Sequence, residues 1–342
     1  MLLFKGPFRV NSLSAFLKCP RAFYFKHVMG LGQDRINLNL LAGHAARAAV
    51  NRAHREKNWD EDEIYEIFLG VFEKEKAGQK AEIHGAVDLD EYRVMLRAYA
   101  CQPYNREARV LALDSRFYFE IKPARTTYHF EGRIDQLLQV ETDLLRAEFP
   151  DVFKSVKKSS IILHRCIKFG QRRQTSPFEL ALNIQLDILA LALKTGIFNY
   201  PLGAIDRRSY QTPYFWNIIP DFHAVYFLRD HIPYKDDGGS YLKDESGNFI
   251  PCDLVSEPCL LGKKQQPCKG KRTYCTKQPR GPGMFFTTRS ETRTHTIPRE
   301  LMSVCAAIRM GHYPRQPGEL CSNYCEFRFT CETEVRSDVE AA

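Results

Sequence analysis

The sequence predicts an α/β fold with a helical lobe at its N-terminal end, and three observations carry that expectation. Apolar residues recur with helical spacing through most of the first hundred positions. The period then falls to two in "ARVLALDSRFYFEI" (108–121) and "TYHFEGRIDQLLQV" (127–140), with "KPART" between them, which is the pattern of an antiparallel hairpin. A third strand, "SSIILHRCIKF" (159–169), leads into an apolar helix and then a fourth strand, so strands and helices alternate as a layered core requires.

Taken in order, a first helix is predicted from about Ser12, capped by Asn11 or Ser12, to Cys19, where Pro20 discourages continuation. "LLAGHAARAAVNRAHRE" (40–56) is alanine-rich and amphipathic; further helices are expected from about Asp60 to Ala77 and from Asp88 to Ala100. After the third strand, "SPFELALNIQLDILALALKTG" reads as one helix with Ser176 as cap, Pro177 at its first position and Gly196 at its stop. "AVYFLRD" (224–230) is the fourth strand, and "PRELMSVCAAIRMG" (298–311) the last helix. Between them, a Gly-, Pro-, Lys- and Cys-rich stretch reads as an insertion. The expected organisation is a helical lobe over 1–105, an α/β core over 106–230, a basic insertion over 231–295 and a C-terminal segment over 296–342.

The 342 residues are 44% hydrophobic and 26% charged, the make-up of a folded chain with a large core. No segment approaches eighteen apolar residues, and the N-terminus has no apolar run of signal-peptide length, so a cytoplasmic, non-membrane protein is expected. Net charge is +8, and residues 263–294, with nine Lys or Arg and one Glu, account for all of it. Such a block suits either a solvated loop or a polyanion partner, with Lys263, Lys264, Lys269, Lys271 and Arg272 as its densest cations.

Eleven cysteines in a reducing compartment argue for metal ligands where they are grouped. "CSNYCEFRFTC" places Cys321, Cys325 and Cys331 in eleven residues, so a fourth ligand comes from elsewhere, or the site is open, or the cysteines are unrelated. Cys19, followed by proline in the aromatic "FLKCPRAFYF", is the best fourth. A zinc ion and an iron-sulfur cluster both suit that donor set. A second group, Cys252, Cys259, Cys268 and Cys275, could hold a structural zinc in the insertion. Cys101, Cys166 and Cys305 are expected to be packing residues.

One cysteine in an N-terminal "CPRAFYF" and three after "GHYPRQPGEL" resemble the iron-sulfur members of the PD-(D/E)xK nuclease superfamily, in particular the RecB-like exonucleases, the AddB-type helicase-nuclease subunit and the CRISPR-adaptation nucleases. The resemblance implies a restriction-endonuclease-like core, a mixed sheet flanked by helices, whose chain ends are joined by a 4Fe-4S cluster on Cys19, Cys321, Cys325 and Cys331. It also implies DNA as substrate, Mg²⁺ or Mn²⁺ as the catalytic ion, a role in DNA repair, recombination or end processing, and a helicase or other DNA-processing partner.

Metal-dependent phosphodiester hydrolysis needs carboxylates for a hard cation and a positive group for the developing charge. The family pattern places Asp135 of "EGRIDQL" as metal ligand, Lys168 of "LHRCIKFG" as the triplet lysine and Gln185 of "QLDIL" on the following helix. Three positions depart from it. Cys166 stands where the second carboxylate is expected, Arg47 of "GHAAR" where the family has histidine, and Leu189 where it has tyrosine. Thiol is a poor donor to Mg²⁺, and an arginine at position 47 competes for the place of a metal. Glu179, Glu148 and Asp151 are the carboxylates that could substitute. The expectations are therefore an active DNA nuclease or, alternatively, a nuclease-fold protein that binds DNA without cutting it or serves as a subunit of a larger complex.

Overall fold

The structure, a computed structural model, describes residues 3–31, 35–79, 82–123, 126–169, 177–199, 202–203, 212–228, 283–316, 325 and 327–340. Phe8–Arg9 (β1) leads into helix α1 (Val10–Lys18), which starts two residues earlier than its sequence suggests. Arg9 is its N-cap, while the Ser12 hydroxyl donates to the Arg9 carbonyl at 2.8 Å. Pro20 does end α1. Cys19 joins it to the short α2 (Pro20–Phe23), which widens into a π-helical turn over Tyr24–Val28.

The helical lobe follows its caps closely. In α3 (Leu38–Glu56) the Asn37 side chain accepts the amide of Asn39; in α4 (Glu61–Ala77) Asp60 accepts from Asp62 and Glu63. Helix α5 (Leu89–Cys101) is capped by Asp88, which accepts from Glu91. Each cap satisfies amides that have no partner inside the helix. The short strands β2 (Arg35–Asn37) and β3 (Glu82–His84) pair in parallel beside this lobe, and α6 (Pro103–Arg106) closes it.

The hairpin expected from the alternating pattern is β4 (Arg109–Ile121) and β5 (Tyr128–Glu141). Helices α7 (Thr142–Glu148) and α8 (Pro150–Phe153) carry the chain to β6 (Ser160–Lys168), which runs antiparallel to β5. Strand β9 (Phe222–Phe227) lies parallel to β6. With the two-residue β7 (Ile197–Phe198) and β8 (Tyr214–Phe215), and with β10 (Met284–Thr287), the order is β10-β9-β6-β5-β4-β7-β8, and β1 pairs in parallel with β5.

Three expectations are corrected. The helix read as continuous from Ser176 is two, α9 (Pro177–Ala181) and α10 (Ile184–Thr195), because Asn183 captures the amides of Gln185 and Leu186 and starts a new helix. The stretch read as insertion to residue 295 ends sooner: β10 is a sheet strand, and α11 begins at Glu291, not at Pro298 (Glu291–Arg309). Pro298 sits inside α11, whose packing through Ile297, Leu301, Cys305 and Ile308 outweighs the lost backbone bond. The lobe assigned to 1–105 also gives β1 to the main sheet. A last helix, α12 (Arg328–Glu340), follows the cysteine-rich segment.

One apolar core packs α3, α4 and α5 against one face of the sheet, and a second packs α1, α10 and α11 against the other. Alternation along β6 divides its side chains: Ile161, Leu163, Arg165 and Ile167 face the helical lobe, while His164 and Cys166 face the opposite layer. No helix among the described residues is long and apolar enough to cross a membrane.

Candidate active-site cleft

The last rung joining β5 to β6 is Gln136↔Arg165. Beyond it the strands part. Cys166, Ile167 and Lys168 continue paired with Val225, Tyr226 and Phe227 of β9, whereas β5 follows β4 toward the hairpin tip. Asp135 is therefore the first residue on one arm of a fork and Cys166 the first on the other, one register step past the rung. The rung is held by Arg165, which is fully buried with neutral partners. Its guanidinium donates to Gln136 Oε1 (2.9 Å), Asn105 Oδ1 (2.5 Å) and Tyr99 Oη (2.6 Å), and packs against the rings of Tyr99 and Tyr226. Gln136 donates onward to Asn51 at 3.0 Å.

Gly132 lets the first arm close up. A Cβ there would lie 2.5 Å from Phe117 Cζ, so only glycine admits the ring that faces it across the hairpin. Asp114, opposite Asp135 by register, has φ of +52°, a left-handed conformation that a non-glycine residue adopts at a cost. It pairs with Arg133 at 2.6 Å.

Arg47 of α3 reaches into the fork. Its Nη1 lies 3.4 Å from Asp135 Oδ1, and its Nη2 donates to the Ile167 carbonyl at 3.3 Å, on the stretch of β6 that has left β5. Both side chains are largely shielded, at 20% and 12% exposed, and Arg47 Nε is buried without a hydrogen-bond partner. Burial pushes the Cys166 thiol up to about 12 and the Asp135 charge adds to that, against the opposing pull of Lys168 and Arg47; it is a protonated thiol at neutral pH. Lys168 is exposed at the end of β6, Gln185 is partly buried in the first turn of α10, and Leu189 is buried in the second core.

This donor set does not fit a hard divalent cation. It offers two carboxylates, Asp135 and Asp114, each already paired with a guanidinium, beside a protonated soft sulfur and an ammonium. Among the described residues no group of three or more His, Cys, Asp or Glu side chains is arranged to hold a metal ion. Glu148 and Asp151 are exposed on α7 and α8, beyond the C-terminal end of β5, and Glu179 is exposed on α9. His44 turns to Glu75, 3.8 Å away.

Sequence patterns gave no sign of the polar layer under Cys166. His164 Nδ1 and His223 Nδ1 are 2.9 Å apart, both rings fully buried, and His164 Nε2 lies 3.9 Å from Cys166 Sγ. Burial, aided by Arg289, lowers the His164 pKa to about 3 and that of His223 well below the ordinary value. Arg289 is itself locked to Asp187 of α10 at 2.6 Å, and Arg293 meets the same carboxylate at 2.6 Å.

At the far ends of the chain, the segments around Cys19 and Cys331 meet. Arg21 binds Glu334 through Nη2 (2.5 Å) and Nε (2.9 Å), and Arg315 approaches the same carboxylate at 3.4 Å. Phe25 packs on Phe327 with ring centroids 5.6 Å apart, and Tyr313 stacks on Phe23 and meets Tyr24 in a tilted contact. Cys19, Cys325 and Cys331 are partly buried free thiols, and the described residues do not bring them together as a group that could hold a metal ion. Of the others, Cys305 is buried as expected, but Cys101 is exposed and donates to Glu61 at 3.1 Å rather than filling a core. Cys321, Cys252, Cys259, Cys268, Cys275, Lys263, Lys264, Lys269, Lys271 and Arg272 lie outside the described residues.

Residues 8–149 match the family model of the PD-(D/E)XK nuclease superfamily. The match takes in β1 through α7, with Arg47 and Asp135, and ends before β6 with its Cys166 and Lys168. The mixed sheet flanked by helices agrees with a restriction-endonuclease-like fold, and the match suggests a nuclease-type function with nucleic acid as partner. No curated protein sequence matches the chain.

Proposed function

We propose that this protein is a DNA-binding member of the nuclease superfamily in which metal-dependent hydrolysis has given way to DNA retention. The observation that carries this reading is the Arg47–Asp135 pair with Cys166 opposite: a cation already neutralises the carboxylate that would hold Mg²⁺ or Mn²⁺. The second reading, a metal-dependent nuclease acting on DNA ends with Asp135 as ligand, Lys168 stabilising the phosphate charge and Gln185 orienting substrate, is favoured by the family match and by the position of Asp135 and Lys168 on opposite arms of one fork.

In both readings Cys19, Cys321, Cys325 and Cys331 hold a 4Fe-4S cluster. The Arg21–Glu334 pair and the Phe25–Phe327 contact support it, since they join the cysteine-bearing segments independently of any cluster. The basic stretch around Lys263, Lys264, Lys269, Lys271 and Arg272 adds phosphate contacts, with Cys252, Cys259, Cys268 and Cys275 as its zinc ligands. The setting is DNA repair, recombination or end processing in the cytoplasm, beside a helicase or similar partner.

The test is an oxygen-protected preparation analysed for iron, sulfide and zinc, then assayed on single-stranded and duplex DNA with Mg²⁺ and with Mn²⁺. Retention without cleavage is expected. Turnover that Asp135→Ala abolishes establishes the second reading instead, and failure to retain either form of DNA at low salt removes both.

A further inference from the structure

We infer that Arg47, with Lys168 across the fork, is a phosphate-binding site that takes a phosphodiester of nucleic acid directly, with no metal ion between protein and phosphate. The inference rests on the DNA-binding reading above and specifies how its central cleft makes the contact.

Three features of the fork support it. The first is charge. Arg47, Arg133 and Lys168 face Asp135 and Asp114, so the cleft carries a positive excess, the wrong sign for collecting cations and the right one for a phosphate. The second is that Arg47 is under-used. Its Nη contacts with Asp135 and Ile167 are long, 3.4 and 3.3 Å, where a well-made charge-assisted bond is nearer 2.8 Å. A guanidinium presents a rigid fork of donors matched to paired phosphate oxygens, and this one has donor capacity to spare. The third is position. Lys168 is exposed at the end of β6, and the arms that carry Asp135 and Lys168 belong to different strand pairs, so no ladder joins β5 to β6 along that stretch.

Asp135 then holds Arg47 in position and competes with the incoming phosphate for it. Removing the Asp135 charge should strengthen phosphate binding, whereas at a metal site the same change would abolish it. That opposition of sign decides between them.

The experiment measures binding of a fluorescein-labelled oligonucleotide, single-stranded and duplex, to the full-length protein by anisotropy, in EDTA and in Mg²⁺, across a salt series. Wild-type binding should persist in EDTA and be no tighter in Mg²⁺, which competes for DNA phosphates. Arg47→Ala should weaken it by roughly tenfold and lower the slope of log K against log salt by about one. Arg47→Lys should recover part of the loss, and Asp135→Asn should tighten binding several-fold in EDTA. Comparing 5′-phosphorylated and 5′-hydroxyl oligonucleotides tells an end phosphate from an internal diester, either of which is the inferred chemistry. Binding that needs Mg²⁺, or that Asp135→Asn weakens, overturns the inference. Should Arg47→Ala fail to fold, the Asp135→Asn result decides alone. If wild type binds but neither variant changes affinity, the inference falls and the DNA-binding reading stands; if wild type binds no DNA, both fall.

Discussion

Asp135 and Cys166 face each other one register step beyond the Gln136↔Arg165 rung, on strands that have begun to part. The backbone thus brings positions 135 and 166 together, while the thiol at 166 and the guanidinium from α3 do not suit a hard cation. Placing oxygen donors there while removing the resident cation should create divalent binding. The double variant Arg47→His, Cys166→Asp should be stabilised by Mn²⁺ in thermal melts, with about 2.7 kcal/mol gained at a hundredfold excess over its dissociation constant. Cys166→Asp alone should respond weakly, because Arg47 would then pair with two carboxylates. An equal response from the single and the double variant would show that Arg47 is no competitor.

The Arg165 network should be the least tolerant part of the fork. Its cation is fully buried and is stabilised only by neutral acceptors and two aromatic faces, so each acceptor matters. Gln136→Leu leaves the guanidinium short of one acceptor and should cost about 3 kcal/mol in equilibrium denaturation. Arg165→Met removes the charge together with its need for partners and should cost less than Gln136→Leu. The reverse order would mean that the arginine, rather than the acceptors, dominates the local energy.

How much of this could be read from residues alone depends on the range of the forces involved. Local chemistry was legible: Asp60 and Asp88 announce α4 and α5 because a cap acts within three residues, and the alternation of 108–140 gives the hairpin because both strands bury one face. Elements whose partner is distant were not. The four residues of β10 form a strand only because β9 offers an edge. Asn183 divides an apolar run in which its capping role is hidden, and Pro298 looks like a helix start until the packing of Ile297 and Leu301 is known. At the cleft, Asp135 and Lys168 were visible through motif spacing. Asp114, Arg133 and the His164–His223 layer were not, since no spacing rule links residues from four strands.

Three buried histidines set the acid response. Burial lowers the pKa of His54, His164 and His223, with Arg165 adding to the effect at His54 and Arg289 at the other two, and for His164 the folded value is about 3. The unfolded chain takes up these protons near pH 6.5. Stability is therefore complete above that pH and falls as pH drops through it, by up to about 1.4 kcal/mol per pH unit for each histidine, until the folded group also titrates. Urea midpoints measured from about pH 7.5 down to about pH 5 should show this decline, and His164→Gln should reduce its slope by about one proton. An unchanged slope in that variant would mean that His164 takes up its proton in the folded protein as well as in the unfolded chain, or that His223 takes up the difference.

The meeting of the chain ends should survive without iron, because its polar tie is made by side chains. Arg21 reaches Glu334 while packing over the rings of Tyr24 and Phe25, at 5.0 and 5.1 Å, and Phe25 in turn lies on Phe327. The ion pair is about a quarter exposed on each side, so its own contribution is small, about 0.5 kcal/mol after screening. Arg21 does more than Glu334, since its stem and guanidinium also cover two aromatic faces. Glu334→Gln should therefore raise amide exchange in α12 only modestly. Arg21→Ala should raise it about tenfold, as expected for a loss near 1.4 kcal/mol, and should speed release of any iron bound by Cys19, Cys325 and Cys331. Equal exchange in the two variants would assign the tie to the ion pair alone. Protection of α12 that vanishes on chelation in the unmutated protein would instead mean that the thiolates, and not Arg21, hold the ends together.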